Sequence, residues 1–427
     1  MLWIGLIILL FVLIILRVPI AFAMAFISII GIAASDISLL SNVPRSLFGG
    51  VNSFTLVAIP LFVLAGEIMA RGGISRRLIE FSKIIVGPIP GGLALVVIVS
   101  SVFFSAITGT AIAAAAAIGG MLIPTMLKEG YDRGFTTSLI ATSSTIGPII
   151  PPSIVLILYG VIASVSISDL FIAGVLPGLM MAIALAIYSI IIGKKHGYVI
   201  KDTKVTAKSF FLSLKDAILA LLMPVIIIGG IISGMFTATE SGVIAVVYAL
   251  IVSIFVYREI SLQDFWDVLK NSATTTSGII FLIASAAIFI WYINFENIPD
   301  QLMNIMGFAA ENPLLLLLII NIILLIAGTF IDTISAVTIF TPLFAPMILA
   351  VGIDSVHFGI ILAVNLTIGM VTPPLGVCLF VVSSIAKQKV PVMFKHLFPQ
   401  VGILIVVLML VTYLPTLIML PVEFLNR

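Results

Sequence analysis

The sequence predicts an all-α polytopic membrane protein folded as an inverted-topology repeat, and three observations predict it. Of its 427 residues, 62% are hydrophobic and 9% charged, whereas a soluble globular domain is about half apolar and a quarter charged. Two near-duplicate motifs, Ile146-Gly147-Pro148-Ile149-Ile150-Pro151-Pro152 and Ile368-Gly369-Met370-Val371-Thr372-Pro373-Pro374, lie 222 residues apart inside apolar runs. The Lys and Arg residues gather in loops that alternate along the chain.

Apolar runs separated by polar punctuation fall at about 2–16, 18–34, 51–70, 134–166, 170–193, 217–235, 241–257, 274–293, 357–386 and 398–420. A membrane span needs roughly 20 such residues. The first run follows Met1 with no positive segment before it, so it reads as a membrane helix and not as a cleaved signal. Two stretches differ. From Lys83 to Lys128 and from Glu311 to Asp354, each apolar run has a polar centre flanked by arms of about 13 residues, or roughly 20 Å of helix. That is short of a hydrocarbon core of about 30 Å, so each is expected to be a re-entrant hairpin. The expected hairpins span about 84–127 and 312–350, with tips at Ser105 to Thr110 and Gly328 to Thr333.

The duplicated motifs predict two broken helices, at about 134–166 and 357–386. Pro removes a backbone donor and clashes with the preceding turn, so Gly with a double Pro interrupts a helix and frees carbonyls and amides. At membrane depth such groups survive only where protein encloses them or they line a wet or ion-binding site. At the fixed shift of 222, positions 124–152 match 346–374 at ten of 29 sites, among them Pro124/Pro346, Gly130/Gly352, Asp132/Asp354 and Thr145/Thr367. Biased composition alone gives about two or three matches, so a duplication is expected, with halves 1–205 and 206–427 and a hydrophilic seam at 194–216.

The positive-inside rule orients these segments. With the loops at 71–83, 194–215, 258–270 and 387–395 in the cytoplasm, and hairpin one opening there, only Arg45 and Arg427 of the 20 Lys and Arg residues fall outside. Both termini then face outward, and hairpin two opens outward, opposite to hairpin one. The net charge of +2 carries no sign of a nucleic-acid partner, because the cations sit in loops; the partner the composition does imply is lipid.

Each half therefore brings a hairpin tip and a helix break to the membrane midplane. A hard monovalent cation such as sodium is held by unwound carbonyls and by Ser, Thr, Asn or Asp oxygens. In half one the candidate ligands are Ser105, Thr108, Gly109 and Thr110 at the tip, with Ser143, Ser144, Thr145 and Gly147 at the break. In half two they are Gly328, Asp332 and Thr333 at the tip, with Asn365, Thr367, Gly369 and Thr372 at the break. Two or more sodium ions are expected. For a single hydroxyl the simpler reading is a bond to its own helix carbonyl or close helix packing; it is the clustering at broken backbone in both halves that favours ligation. Asp332 is a carboxylate expected inside the membrane, costly there if unpaired. Thr110 and Asp332, with Pro151 and Pro373 at the half-helix starts, are the candidate solute contacts, since no Arg is placed at membrane depth to hold an acid and backbone amides can do so. Glu240 fits a capping box with Thr237, Glu67 lies four residues before Arg71 and suggests a local ion pair, and Arg17 is read as reaching the cytoplasmic surface. Cys378 reads as a small packed residue.

The sequence holds no GxxxxGK[ST] loop and no HExxH, so neither direct use of ATP nor metallohydrolase chemistry is indicated. No enzyme is expected.

In these residues the chain resembles the large membrane subunit of tripartite ATP-independent periplasmic (TRAP) transporters, the DctM-like proteins. The resemblance covers nearly the whole chain and rests on Ile59-Pro60-Leu61-Phe62 with Ala65-Gly66, on Phe104-Ser105 through Thr108-Gly109-Thr110, on Ile146-Gly147 with Pro151-Pro152-Ser153, on Phe330-Ile331-Asp332 and on Gly369 with Thr372-Pro373-Pro374. Thr108-Gly109-Thr110 stands where relatives often have Ser-Gly-Ser, which keeps the hydroxyls. The resemblance implies an elevator-type, sodium-coupled importer of an acidic solute, a C4-dicarboxylate or a sugar acid such as sialic acid, in a bacterial inner membrane with both termini periplasmic. It implies two partners, a small four-helix DctQ-like membrane subunit as a separate chain and a periplasmic DctP-like substrate-binding protein. The alternatives are a stand-alone sodium and anion symporter of the same superfamily, and a passive channel.

Overall fold

The computed structural model describes residues 2–198, 207–307 and 312–425, and these are helical with no strand among them. The first half opens with α1 (Leu2–Ile15), α2 (Ile20–Ser35), the short amphipathic α3 (Asn42–Val51), α4 (Ala58–Arg71) and the surface helix α5 (Ile74–Val86). Hairpin one follows as α6 (Gly92–Thr108) and α7 (Ala111–Lys128), then a broken helix as α8 (Arg133–Ser144) and α9 (Ile154–Ala163), then the long α10 (Ile167–His196). The second half repeats the plan with α11 (Ala207–Ile232), α12 (Ala238–Leu250, continuing as a π turn to Val256), α13 (Leu262–Phe295) and α14 (Ile298–Ile305). Hairpin two is α15 (Pro313–Phe330) and α16 (Thr333–Ala350), the second broken helix is α17 (Ser355–Gly369) and α18 (Val377–Ile385), and α19 (Phe394–Tyr413) and α20 (Pro415–Leu425) close the chain.

Positions paired at the shift of 222 share local geometry. Gly130 (φ 83°) and Gly352 (φ 78°) end the second hairpin arms in the left-handed region. Tyr131 and Ile353 then donate back to Met126 and Ile348 at 3.0 and 3.1 Å, a glycine-terminated C-cap. Asp132 and Asp354 cap the next helices by accepting from the amides of Phe135 and His357, at 2.8 and 2.9 Å. Both Pro-Pro bonds are cis.

The hairpin arms are longer than their sequence suggested, 17 residues in α6 and 18 in each of the other three. The helices run on through hydroxyl residues that read as turn, because those side chains bond within the helix: Thr108 donates to the Phe104 carbonyl (3.1 Å) and Thr329 to that of Ile326 (2.8 Å). Arms of about 25 Å could nearly cross a bilayer. What marks them as hairpins is where their tips lie. A Cβ on Gly109 would sit 2.8 Å from the Pro152 carbonyl, and one on Gly369 would sit 2.6 Å from Gly328 Cα. Each tip thus meets the break of its own half, in the middle of a helix pair.

The hairpins, the broken helices, α10 and α19 pack into one group, with α8 against α7 and α19, α17 against α15, and α9 against α16. Helices α2, α4, α12 and α13 form a second group, with α12 on α4 and α13 on α2 and α4. Among the described residues the helices long and apolar enough to cross a membrane number nine, including three hairpin arms.

Candidate functional site

A cavity of about 510 Å³ opens between the two groups, where both hairpin tips face α4 and α13. Tip one contributes Thr108 and Thr110, tip two contributes Asp332 and Thr333, and Pro148 and Met370 come from the two breaks. The opposite wall is Val63, Gly66 and Glu67 of α4 with Thr275 and Ile279 of α13.

Thr110 and Asp332 are equivalent at the shift of 222, and each starts the second arm of its hairpin. Thr110 Oγ1 accepts from the amide of Ala113 at 3.4 Å, and Asp332 Oδ1 accepts from that of Ser335 at 3.1 Å. Two helix N-termini, of α7 and α16, therefore begin at the cavity, with their unpaired amides and the positive ends of their dipoles. This suits an anion without any fixed cation. Thr333 Oγ1 lies 2.7 Å from Met370 Sδ, which ties tip two to its break.

Behind the tips the breaks are buried. Ser143, Ser144, Thr145, Asn365 and Thr367 are fully buried. Thr145 donates to the Thr142 carbonyl at 2.6 Å and Thr367 to that of Val364 at 2.8 Å; Ser144 and Thr372 bond the carbonyls of Ala141 and Ile368 in the same way. A donating hydroxyl keeps its oxygen lone pairs. Among the described residues no donor reaches the carbonyls of Thr145 or Thr367. Ser143 Oγ is buried with no partner, as is Asn365 Oδ1, while the Asn365 amide nitrogen donates to the carbonyl and side chain of Asn321 at 2.9 and 2.7 Å. Each half thus holds an unspent carbonyl, hydroxyl oxygen and buried acceptor near one another in sequence. Such an all-oxygen donor set fits a hard monovalent cation. The described residues contain no cluster of His, Cys, Asp and Glu suited to a transition metal.

Of the residues singled out in the sequence, Thr108, Thr110, Asp332 and Thr333 share the cavity. Gly147, whose added Cβ would lie 3.0 Å from the Thr110 carbonyl, packs at the seam between tip one and its break, and Gly328 and Gly369 do so in half two. Pro151 and Pro373 do not line it; Pro151 instead faces Phe171 and α11. The Ser105 side chain lies outside the described residues. Glu67 was expected to pair with Arg71, yet Arg71 Nη1 is 4.0 Å from Asp267 Oδ2 and Glu67 lines the cavity. The i,i+4 spacing could not reveal that α13 brings Asp267 to the same helix end. Thr275 was also missed, although the hydroxyl run at 272 and 274–277 inside an apolar helix was a signal. The Thr237 and Glu240 capping box is present.

The family model described as the tripartite ATP-independent periplasmic transporter DctM component matches residues 7–417. The chain belongs to this family. A DctM-family permease is a multi-pass membrane protein, and the relatives of this one are transporter permeases. It is 39% identical over 397 residues to the sialic acid TRAP transporter large permease protein SiaM of Vibrio cholerae, covering 93% of each chain. It is 39% identical over 398 residues to the isethionate TRAP transporter permease protein DctMQ of Oleidesulfovibrio alaskensis, spanning 93% of this chain and 63% of that longer one. The crystal structure of the Alcanivorax borkumensis YdaH transporter has the same fold, with a TM-score of 0.61 at 13% identity over 88% of this chain and 87% of that one.

Proposed function

We propose that this DctM-family permease imports an acidic solute in symport with sodium, the hairpins and broken helices moving together as an elevator past α4 and α13. The observation that carries the reading is the cavity of both tips against a separate helical wall. A solute held at a boundary between two groups can change sides when one group slides, with no need to unwrap the site. The two breaks, one in each half (1–205 and 206–427), each offer oxygens for one sodium ion. Filling them firms the backbone that carries the tips, which couples ion binding to solute binding.

With the Lys- and Arg-rich loops in the cytoplasm of a bacterium and both termini periplasmic, α1 and α4 run inward. The cavity reaches Ala70, next to the last residue of α4. The site therefore lies near the inner surface, as in a state open to the cytoplasm. Solute is delivered by a periplasmic DctP-like binding protein, and a small DctQ-like four-helix subunit completes the membrane complex. The solute is a C4-dicarboxylate, a sugar acid such as sialic acid, or a sulfonate such as isethionate, since the amide-rich helix starts recognise an oxyanion. The test is uptake into proteoliposomes by the permease with its small subunit. Import only when the cognate periplasmic protein is added supports the tripartite reading, and full import without it sinks that reading.

A further inference from the structure

Among the described residues the cavity walls carry two carboxylates, Glu67 and Asp332, and no Lys, Arg or His. A second cavity, of about 470 Å³, lies beside the tip of hairpin two and shares Asp332 with the first. Its walls include Ile14 of α1 and Arg17 from the turn after it, Phe330 and Ser335 of hairpin two, and Gly278 and Leu282 of α13. Positions 278 and 282 lie three residues beyond Thr275 and Ile279, so all four share one face of the helix, the second pair about one turn further along. The two cavities therefore flank one tip, side by side along α13, and among the described residues Arg17 is the single cation lining either of them.

Arg17 also sits where the backbone prefers another residue. Its amide donates to Ile14 and that of Val18 to Leu13, at 2.9 and 3.0 Å, and its φ is 64°. This is the left-handed C′ position of a Schellman turn, normally Gly. Arg258 and Lys387 share the left-handed backbone, so the turn alone assigns nothing. Arg17 differs from both because it lines a cavity that reaches Asp332. Among the described residues it makes no ion pair or hydrogen bond through its side chain that would spend its charge.

We propose that Arg17 receives an oxyanion at the second cavity, namely the carboxylate or sulfonate of a solute that passes between the two cavities at the tip of hairpin two. This rests on the importer reading above. The start of α7 lines only the first cavity, whereas at the second the Arg17 guanidinium can take the anion in a forked, charge-assisted contact. Arg17 thus sets the affinity of the inward-facing state for acids.

The complex of permease and small subunit is placed in proteoliposomes with wild type, Arg17→Gly, Arg17→Asn and Arg17→Lys, with and without phosphatidylglycerol. The probes are succinate, sialic acid and isethionate, and the readout is the internal concentration that half-saturates exchange. Gly and Asn suit the left-handed turn, so the fold is expected to hold. Loss of one charge-assisted contact predicts a rise of roughly 10- to 100-fold in both variants, with most of the affinity kept by Arg17→Lys and the same result in both lipids. Unchanged half-saturation in Arg17→Gly and Arg17→Asn overturns the proposal. So does an effect seen only with phosphatidylglycerol, which assigns Arg17 to a lipid headgroup. If wild type exchanges none of the three acids, the importer reading itself fails and this inference falls with it; exchange by wild type together with silent Arg17 variants isolates the failure to Arg17.

Discussion

Replacing Gly369 by Ala tests whether tip two and its break act as one unit. The new Cβ would lie 2.6 Å from Gly328 Cα and 2.7 Å from the Gly328 carbonyl carbon. Both neighbours are backbone, so no rotamer change can relieve the contact. Ordinary contact begins at 3.4 Å, so the tip must move by about 0.8 Å away from the break. Overpacking of this kind costs about 1–3 kcal/mol. A shift of that size also exceeds the roughly 0.2 Å tolerance of metal–oxygen distances. Loss of about 1.4 kcal/mol from ion binding is a tenfold weaker affinity. The sodium concentration for half-maximal uptake in proteoliposomes is therefore expected to rise about tenfold or more, with a lower melting temperature that sodium no longer raises. Gly147→Ala should be milder, because its Cβ would come no closer than 3.0 Å, to the carbonyls of Thr110 and Ser144. Wild-type sodium activation and melting in Gly369→Ala would refute the reasoning.

Other outcomes follow from single contacts. Thr145→Ala and Thr367→Ala each remove a buried hydroxyl oxygen beside an unspent carbonyl, and each should weaken sodium activation severalfold while the protein still inserts; sodium titration of uptake checks this. Asp332→Asn keeps the cap on α16 but removes the charge, so solute or sodium affinity should fall without loss of melting temperature; Asp332→Ala should lose both. Asn321→Leu strands the buried Asn365 amide's side-chain contact and the bond to Thr412, and about 1–2 kcal/mol of stability should be lost in detergent. Cys378 is the one cysteine and is fully buried, so a charged thiol reagent should ignore the native chain, label Glu67→Cys and Thr275→Cys, and be slowed by bound solute.

Much of this architecture is legible because its signals are local. A Pro-Pro pair interrupts a helix wherever it falls, and Asp132 and Asp354 cap helices through the next three residues. The expected opposite orientation of the hairpins rests on where Lys and Arg stop. Arm length was misjudged because Thr108 and Thr329 look like turn residues until their bonds to helix carbonyls are seen. The cavity's far wall was invisible for a different reason. Glu67 and Thr275 lie 208 positions apart, and only the packing of α4 on α13 brings them to one surface. Asn365 shows the same limit: its place in the break was evident, but its bond to Asn321 on α15 depends on which face of α17 meets the hairpin.

If the proposed mechanism holds, a sodium gradient drives the solute through the cavity formed by the tips. The most direct measurement is uptake of a labelled acid by the complete complex in proteoliposomes under an inward sodium gradient, compared with an equal potassium gradient. Sodium coupling is expected to give accumulation against the solute's own gradient with sodium and only equilibration with potassium. Equal accumulation under both gradients, or none above equilibration in either, would contradict it.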